Sequence, residues 1–349
     1  MNRHWLALTL SWTAALSAPR LHADDLFAPI QKATEPAVDN ANWFSFGPQF
    51  GLNINARFNH VGNVNPSSPG PATGGGVDRT YDDGFVHVDS SGDAGGQTWN
   101  WGYQNASQVQ GSTLTMHSAS SAMNGTLDQN GVPAIGFDLA FGRNLGTMLG
   151  GKWGLQGAFD FNTISISDNH PLSGTGTQIT DAFPLGGVIP PLAPYSGSFN
   201  GPGPFLGDTP TRTTASDPVL ITGQRKLDAQ VYALRLGPYY EFLFGHRWSG
   251  RLGGGLALAE TATRYSFNET LTFGSGLVVN NAGSSSGTEF RAGGYVEGKL
   301  LYAVTPSTCL FAGAQYENLG TFSRNAGNEQ AQLDMGSAVS VLFGLQWAF

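Results

Sequence analysis

Charge is scarce in this sequence. Only 12% of the 349 residues are Asp, Glu, Lys or Arg, against about 25% in ordinary soluble domains. Long apolar runs are missing too. Beyond the first 23 residues none reaches the ~18 residues of a membrane-crossing helix, so any crossing must be made by strands. The one cysteine, Cys309, excludes an internal disulfide framework. There is no cationic excess; the net charge of −8 argues against nucleic acid as a partner. Gly-x-Ser-x-Gly, a Walker loop and His-Glu-x-x-His are all absent. His60, His87, His117 and His170 lie near many serines. That is loop composition rather than a triad, which geometry alone defines, so no enzyme, catalytic residue, metal or cofactor is expected.

The first residues read as an export signal. Arg3 supplies a positive start, Trp5 to Ala18 is largely apolar, and Leu21-His22-Ala23 fits a small-x-small cleavage pattern. The apolar stretch is too short to span a bilayer comfortably. Ala23 is not followed by Cys, so a lipid anchor there is excluded. The expected organisation is a signal peptide over 1–23, a periplasmic linker over 24–42 and a barrel over 43–349. Loss of Arg3 and Arg20 moves the charge from −8 to −10.

What is present is alternation. Even positions from Phe44 to Phe58 are apolar (Phe44, Phe46, Phe50, Leu52, Ile54, Ala56), and the odd positions between them include Ser45, Gln49, Asn53, Asn55 and Arg57. A period of two held that long exceeds the ordinary strand of ~5–6 residues and suits a membrane strand of ~9–11. The pattern predicts Leu52 and Ile54 on lipid, with Asn53 and Asn55 in the lumen. Six more segments alternate at 132–144, 152–166, 227–244, 247–267, 288–304 and 308–319, and an eighth at 332–349 places Leu333, Met335, Val339 and Val341 on one face. A soluble sandwich also alternates, but its strands are short and its polar face is rich in Lys and Glu. Here that face is Gly, Ala, Ser, Asn and Gln, which suits a crowded lumen. Trp43, Trp153, Trp248 and Trp347 fall near strand ends, where interfacial girdles belong.

Connections near 146–150, 245–246 and 305–307 are short, whereas 60–131, 167–226, 268–287 and 323–331 are long. That alternation, with an even strand count, predicts an all-β, transmembrane, antiparallel up-and-down barrel of eight strands with long external loops at 60–131 and 167–226. The segments 97–104 and 112–118 leave ten strands as the alternative. Residues 181–210, rich in Pro and Gly, read as a loop without regular structure. Asp89-x-Ser91-x-Asp93 has clustered carboxylates, but it lacks the glycine and distal Glu of a calcium loop, so an ordinary acidic loop is expected.

The export signal, the amphipathic strands and the closing Val339-Ser340-Val341-Leu342-Phe343-Gly344-Leu345-Gln346-Trp347-Ala348-Phe349 resemble bacterial outer-membrane barrels, by size the small ones such as the membrane domain of outer-membrane protein A, opacity-type adhesins or a porin. The resemblance implies the outer membrane as location, its lipids as partners, and an assembly signal in Phe343, Leu345, Trp347 and Phe349 read by the assembly machinery. No peptidoglycan-binding domain follows, so cell-wall tethering is not implied.

Eight strands leave a lumen that side chains fill. The inward charges Arg57, Asp138, Asp160, Arg235, Arg251, Glu289, Arg291, Glu297, Lys299, Glu317 and Asp334 should then pair, because unpaired buried charge is costly. Arg235 and Arg291 are expected beside Asp138, Glu297 or Glu317. Three function classes follow: a structural or surface-interaction barrel with a filled lumen, a porin-like channel, or a lipid-active enzyme. The first is the expectation, with the channel as its alternative.

Overall fold

The computed structural model describes residues 41–123 and 125–349. The signal peptide and residues 24–40 of the linker lie outside the described residues. Among the described residues no helix is long and apolar enough to cross a membrane.

Eight antiparallel strands form a ring: β1 (Asn42–Val61), β2 (Gly125–Met148), β3 (Gly151–Asp168), β4 (Thr211–Leu243), β5 (Trp248–Phe273), β6 (Val278–Ala303), β7 (Thr308–Asn318) and β8 (Ala338–Ala348). Each pairs with the next, and β8 pairs back onto β1 to close the ring. Closure matters physically, because in lipid every backbone N–H and C=O of the wall must find its partner within the sheet. Tight turns join β2–β3, β4–β5 and β6–β7 at one end. The segments that left ten strands open lie outside the ring. Trp101–Tyr103 pairs with Gly84–Val86 and Tyr195–Ser196, and Thr113–Ser120 pairs with Leu172–Pro184.

Several strands are far longer than the ~9–11 residues a membrane crossing needs. β4 holds 33 residues and β5 and β6 hold 26 each, so much of the sequence expected to be loop at 167–226 and 268–287 is wall. Many outward positions there are small or polar, among them Thr222, Gln224, Asn268, Thr270, Thr272, Asn280, Ser284 and Ser286, a turn-like composition that conceals a strand. Leu172–Pro184 and Thr113–Ser120 extend the sheet along the first part of β4. They carry a small cap with its own core of Tyr81, Val86, Trp101, Tyr103, Leu114, Met116, Phe183, Leu185 and Leu206.

The barrel interior has two tiers. Toward the tight turns it is polar: Gln49, Asp138, Gln156, Asp160, Arg235, Arg251, Glu297 and Lys299 are all buried. Toward the cap it is apolar, with Ile54, Phe58, Ile164, Ile166, Leu227, Val231, Tyr265, Phe267 and Phe322 in one cluster. The outer surface changes in the opposite sense. Leu155, Leu234, Leu252, Leu256 and Phe290 are exposed around the polar tier, whereas Ser165, Lys226, Asp228 and Arg264 face outward around the apolar one.

β1 corrects the expected register. Leu52 faces outward, but Ile54 and Phe58 are buried inside and Arg57 points out. Asn53 adopts φ 57 and Gly131 on the adjacent strand φ 66, and the β1–β2 register slips between Gly51 and Ile54. An extra residue moves every later side chain to the other face. Asn is among the few non-glycine residues that tolerate this backbone. Its amide donates to the Ser337 carbonyl at 2.9 Å and to Ser337 Oγ at 3.0 Å, while the Gly131 N–H donates to Asn55 Oδ1 at 3.0 Å. The last expected strand is likewise two elements. Glu329–Asp334 pairs with β1 and with Thr321–Ala326, and β8 starts at Ala338. Leu333 and Met335 are therefore buried inside, and Asp334 is exposed. Trp43 is also buried rather than in the girdle; Trp153, Trp248 and Trp347 are exposed.

Candidate functional site: the lumen and its mouth

One guanidinium organises the polar tier. Arg235 on β4 pairs across the lumen with β2, β3 and β6: with Asp138, with Asp160 at 2.5 and 2.9 Å, and with Glu297 at 2.9 Å. Lys299 adds contacts of 3.5 Å to Asp138 and 3.4 Å to Glu297. Gln156 donates to Glu297 at 2.7 Å, and Arg235 lies 4.9 Å over the Tyr295 ring. The alternation of β3, β4 and β6 aims each of these side chains inward. Here two cations, Arg235 and Lys299, face three carboxylates and offset most of their charge where bulk water does not reach. Glu317 and Gln315 on β7 border this layer. Glu317 Oε1 and both Gln315 amide atoms are buried without a hydrogen bond among the described residues.

A second layer lies nearer the tight turns. Arg251 binds Glu241 at 2.5 Å and Gln346 at 2.8 Å, with its guanidinium 3.9 Å over the Trp43 ring. Trp43 in turn donates to Tyr239 at 3.0 Å. An arginine between two aromatic rings and a carboxylate fills space and satisfies charge together.

A third polar group sits inside the apolar tier, and sequence reasoning missed it. Arg225 is shared by Glu269 at 2.5 Å and Asp168 at 3.1 Å. Glu329, on the hairpin formed by Thr321–Ala326 and Glu329–Asp334, accepts from Tyr265 at 2.7 Å. The Gly62 N–H donates to Glu269 at 3.0 Å and to Glu329 at 3.3 Å, which holds the two carboxyls side by side. Burial, then the bond and the charge of Glu269, push the Glu329 carboxyl above its ordinary range. Phe322, Ala326, Ala331 and Leu333 of the same hairpin are buried in the core, so the hairpin stoppers the upper lumen. The available signal was the acidic residues at predicted loop positions, each flanked by inward apolar ones.

Of the residues expected to form one lumen network, Asp138, Asp160, Arg235 and Glu297 meet in the first layer, Glu317 borders it, and Arg251 forms the second. Arg57 does not belong. The bulge turns it outward, where it pairs with Asp128 at 2.7 Å with its side chain 55% exposed. Arg291 is not with Asp138, Glu297 or Glu317 either. It lies higher on β6, 47% exposed, 3.3 Å from Glu289 and 5.8 Å over the Phe322 ring. Phe343, Leu345, Trp347 and Phe349 all face outward; Phe343 stacks on Phe50 at 5.8 Å and Phe349 lies 6.5 Å from Phe141.

In the cap, Asp89 accepts from the Ser91 N–H and hydroxyl at 2.8 and 2.6 Å and from the Trp99 N–H at 3.0 Å. Burial opposes its charge, but these donors prevail and hold the carboxyl at about 2. Its oxygens are engaged as turn acceptors. Among the described residues no group of three or more His, Cys, Asp or Glu is arranged to hold a metal ion. His117 Nδ1 lies 2.5 Å from Asp83, and among the described residues no hydroxyl is hydrogen-bonded to that imidazole.

Even strand number, tight turns at one end, an apolar outer band and a polar interior make this the architecture of an outer-membrane β-barrel. No protein-family model and no curated protein matches the sequence. Among solved structures the chain is similar to the outer-membrane protein OprG from Pseudomonas aeruginosa, at 10% identity over 89% of this chain and 96% of that one, with a TM-score of 0.34. It is also similar to Neisserial surface protein A, at 11% identity over 87% and 97% with a TM-score of 0.25. The outer-membrane protease OmpT from Escherichia coli is similar at 11% identity over 89% and 97%, with a TM-score of 0.30.

Proposed function

We propose that this chain is a closed barrel of the outer membrane that displays its folded cap to the outside and works through surface contacts, not as a pore or an enzyme. The observation that carries this reading is the Arg235 layer, in which three carboxylates from three strands converge on one guanidinium across the lumen. An ion passing that point would have to displace fully buried pairs, and the apolar tier with its hairpin stopper lies beyond it. Single-channel recording on purified, refolded protein in a planar bilayer tests this. Silence at all voltages that leave the bilayer intact is expected, and steady conductance steps would reject it. The porin-like alternative draws on Ser45 Oγ, Gln49 Oε1, both Gln315 amide atoms and Glu317 Oε1, which are buried with no hydrogen-bond partner among the described residues. Such atoms usually hold ordered water, and a thin wet path beside β1 and β7 would show as small steps abolished by Gln315→Leu.

A further inference from the structure

Where the cap meets the barrel, four segments enclose a cavity of about 380 Å³. They are the turn after β1 at 63–66, the end of Thr113–Ser120 with Ser121 and Ala122, the stretch 175–177 of Leu172–Pro184, and Ser216 near the start of β4. Val64 and Ser121 exchange backbone hydrogen bonds of 2.9 and 3.0 Å, which pin the turn to the strand. At Gly176 a Cβ would lie 2.5 Å from Phe273 Cε1 and 3.0 Å from the Ser120 carbonyl oxygen, so this wall is close-packed and preformed. Ser120 is paired with Thr177, and Thr177 with Ser216. Three hydroxyl side chains therefore make a row at the ~4.8 Å spacing of neighbouring strands.

The chemistry of the lining is uniform. Asn63, Asn65 and Thr175 add two amides and a fourth hydroxyl, Val64, Pro66 and Ala122 add apolar surface, and no charged residue takes part. Among the described residues none of these amides and hydroxyls has a hydrogen-bond partner. Ser121, which also lines the cavity, is 2% exposed, and its hydroxyl is likewise unpaired. Polar groups just outside are committed: Ser67 Oγ donates to Ser118 Oγ at 2.7 Å, and Arg212 to the Gly70 carbonyl at 2.9 Å. Unspent hydrogen-bonding capacity is thus gathered around one cavity. Without charge it gives no strong grip on phosphate, carboxylate or ammonium, whose tight contacts are charge-assisted. Hydroxyls donate and accept at once, and an amide carries one group of each kind, so the lining complements a ligand whose own groups do both. A neutral pyranose is such a ligand, with hydroxyls around its edge and an apolar ring face for Val64 and Pro66. The volume lies at the lower end of the ~300–1,000 Å³ of small-molecule sites, which suits one ring.

We propose that this cavity binds one neutral hexose unit of an external glycan, its hydroxyls along Ser120, Thr177 and Ser216 and its ring against Val64 and Pro66. This goes beyond the closed-barrel reading by naming a ligand for the outer surface, and it holds whether or not the lumen conducts. The test uses the full barrel in phosphatidylcholine nanodiscs, which avoids sugar-headed detergents. Saturation-transfer NMR is recorded with the methyl glycosides of glucose, galactose and mannose, then with trisaccharides ending in each. At least one glycoside should bind saturably at millimolar concentration. The trisaccharide ending in that hexose should bind as well, because Asn65, Pro66, Thr175, Thr177 and Ser216 leave the cavity open to the outside. Thr177→Val keeps the shape, removes the middle hydroxyl of the row, and should weaken binding about tenfold. Ser216→Trp fills the cavity from an exposed position and should abolish binding, with the heat-modifiable mobility of the barrel unchanged. Thr214→Val, on the same strand but outside the cavity, should bind as the wild type does. No transfer to any of the three glycosides, unaltered binding in both Thr177→Val and Ser216→Trp, or equal loss in Thr214→Val would each overturn the proposal. Tighter binding of the 6-phosphate of the same hexose would also do so, by making the cavity an anion site. Exclusion of the trisaccharide would overturn the glycan as source in favour of a free sugar.

Discussion

The two tiers of this barrel share strands, hydrogen-bond ladders and closure, and differ in what lies on either side of the wall. In the lower tier apolar residues face out and Arg235, Asp138, Asp160 and Glu297 face in. In the upper tier Ile164, Leu227 and Phe267 face in, and Lys226, Asp228 and Arg264 face out. One β3 ladder carries both arrangements without a break: Phe159 and Phe161 point outward below, Thr163 and Ser165 point outward above, and Asp160 gives way to Ile164 inside. The backbone does not know which solvent it meets. The side chains record it, and the level at which the pattern inverts marks the edge of the bilayer.

The largest expected effect separates the tiers by energy type. Arg235→Ala leaves three buried carboxylates facing one another and should destabilise the barrel by about 3–5 kcal/mol, read as a lowered urea midpoint in detergent. An unchanged midpoint would mean that water already reaches those carboxylates. Phe58→Ala in the upper tier removes a fully buried ring that stacks on Tyr265 at 5.8 Å. It should cost about 3 kcal/mol, but locally. Proteolysis near the cap should speed up, while the heat-modifiable mobility of the closed barrel persists. Loss of that mobility would show the tiers to be one cooperative unit.

The bulge at Asn53 is what lets β1 serve both tiers. Asn53→Val puts a β-branched residue at φ 57 and should cost about 1–3 kcal/mol, measurable in the same urea series. Asn53→Gly should be close to neutral. If both behave alike, the left-handed backbone is not required there.

The same bulge explains why part of the fold was hidden in the sequence. From Phe44 to Phe58 the even positions stay apolar with no interruption. At Asn53 the chain changes faces just where the apolar side changes from outside to inside, and the two inversions cancel. The text of β1 therefore reads as one uniform strand, and its alternation alone puts Ile54 and Arg57 on the wrong faces. On β3 and β4 no bulge intervenes, so the inversion stands open in the sequence as a shift from Phe161 to Ile164 and from Tyr232 to Val231. Arg235, Asp138, Asp160 and Glu297 were legible because strict alternation below the boundary leaves one face for them. The Glu269–Glu329 pair was not, since its partners come together only through a hairpin whose return into the lumen no local pattern encodes.

That pair gives the smallest effect and the most specific one. The Glu329 carboxyl is raised by burial and by Glu269, so its protonated form is the one the hairpin accommodates. Stability from this proton is whole below the unfolded carboxyl value of ~4.3 and is lost as pH rises through the raised folded value. The protection of the Thr321–Ala326 amides, taken relative to the base-catalysed exchange of a free chain at each pH, should therefore fall at alkaline pH, while protection on β3 within the membrane does not change. Glu329→Gln keeps the shape and removes the titration, and should flatten that response. An equally steep response in Glu329→Gln would place the titrating group elsewhere.

The inversion itself is tested most directly on β3. Single nitroxide labels at 159, 161, 163, 164 and 165, in a Cys309→Ser background in bilayers, can be relaxed by oxygen from the lipid or by a nickel chelate from water. Positions 159 and 161 should respond to oxygen, 163 and 165 to nickel, and 164 to neither, with the face unchanged and the solvent switched between 161 and 163. Oxygen-dominated relaxation at 163 and 165, or nickel access to 164, would contradict the two-tier account.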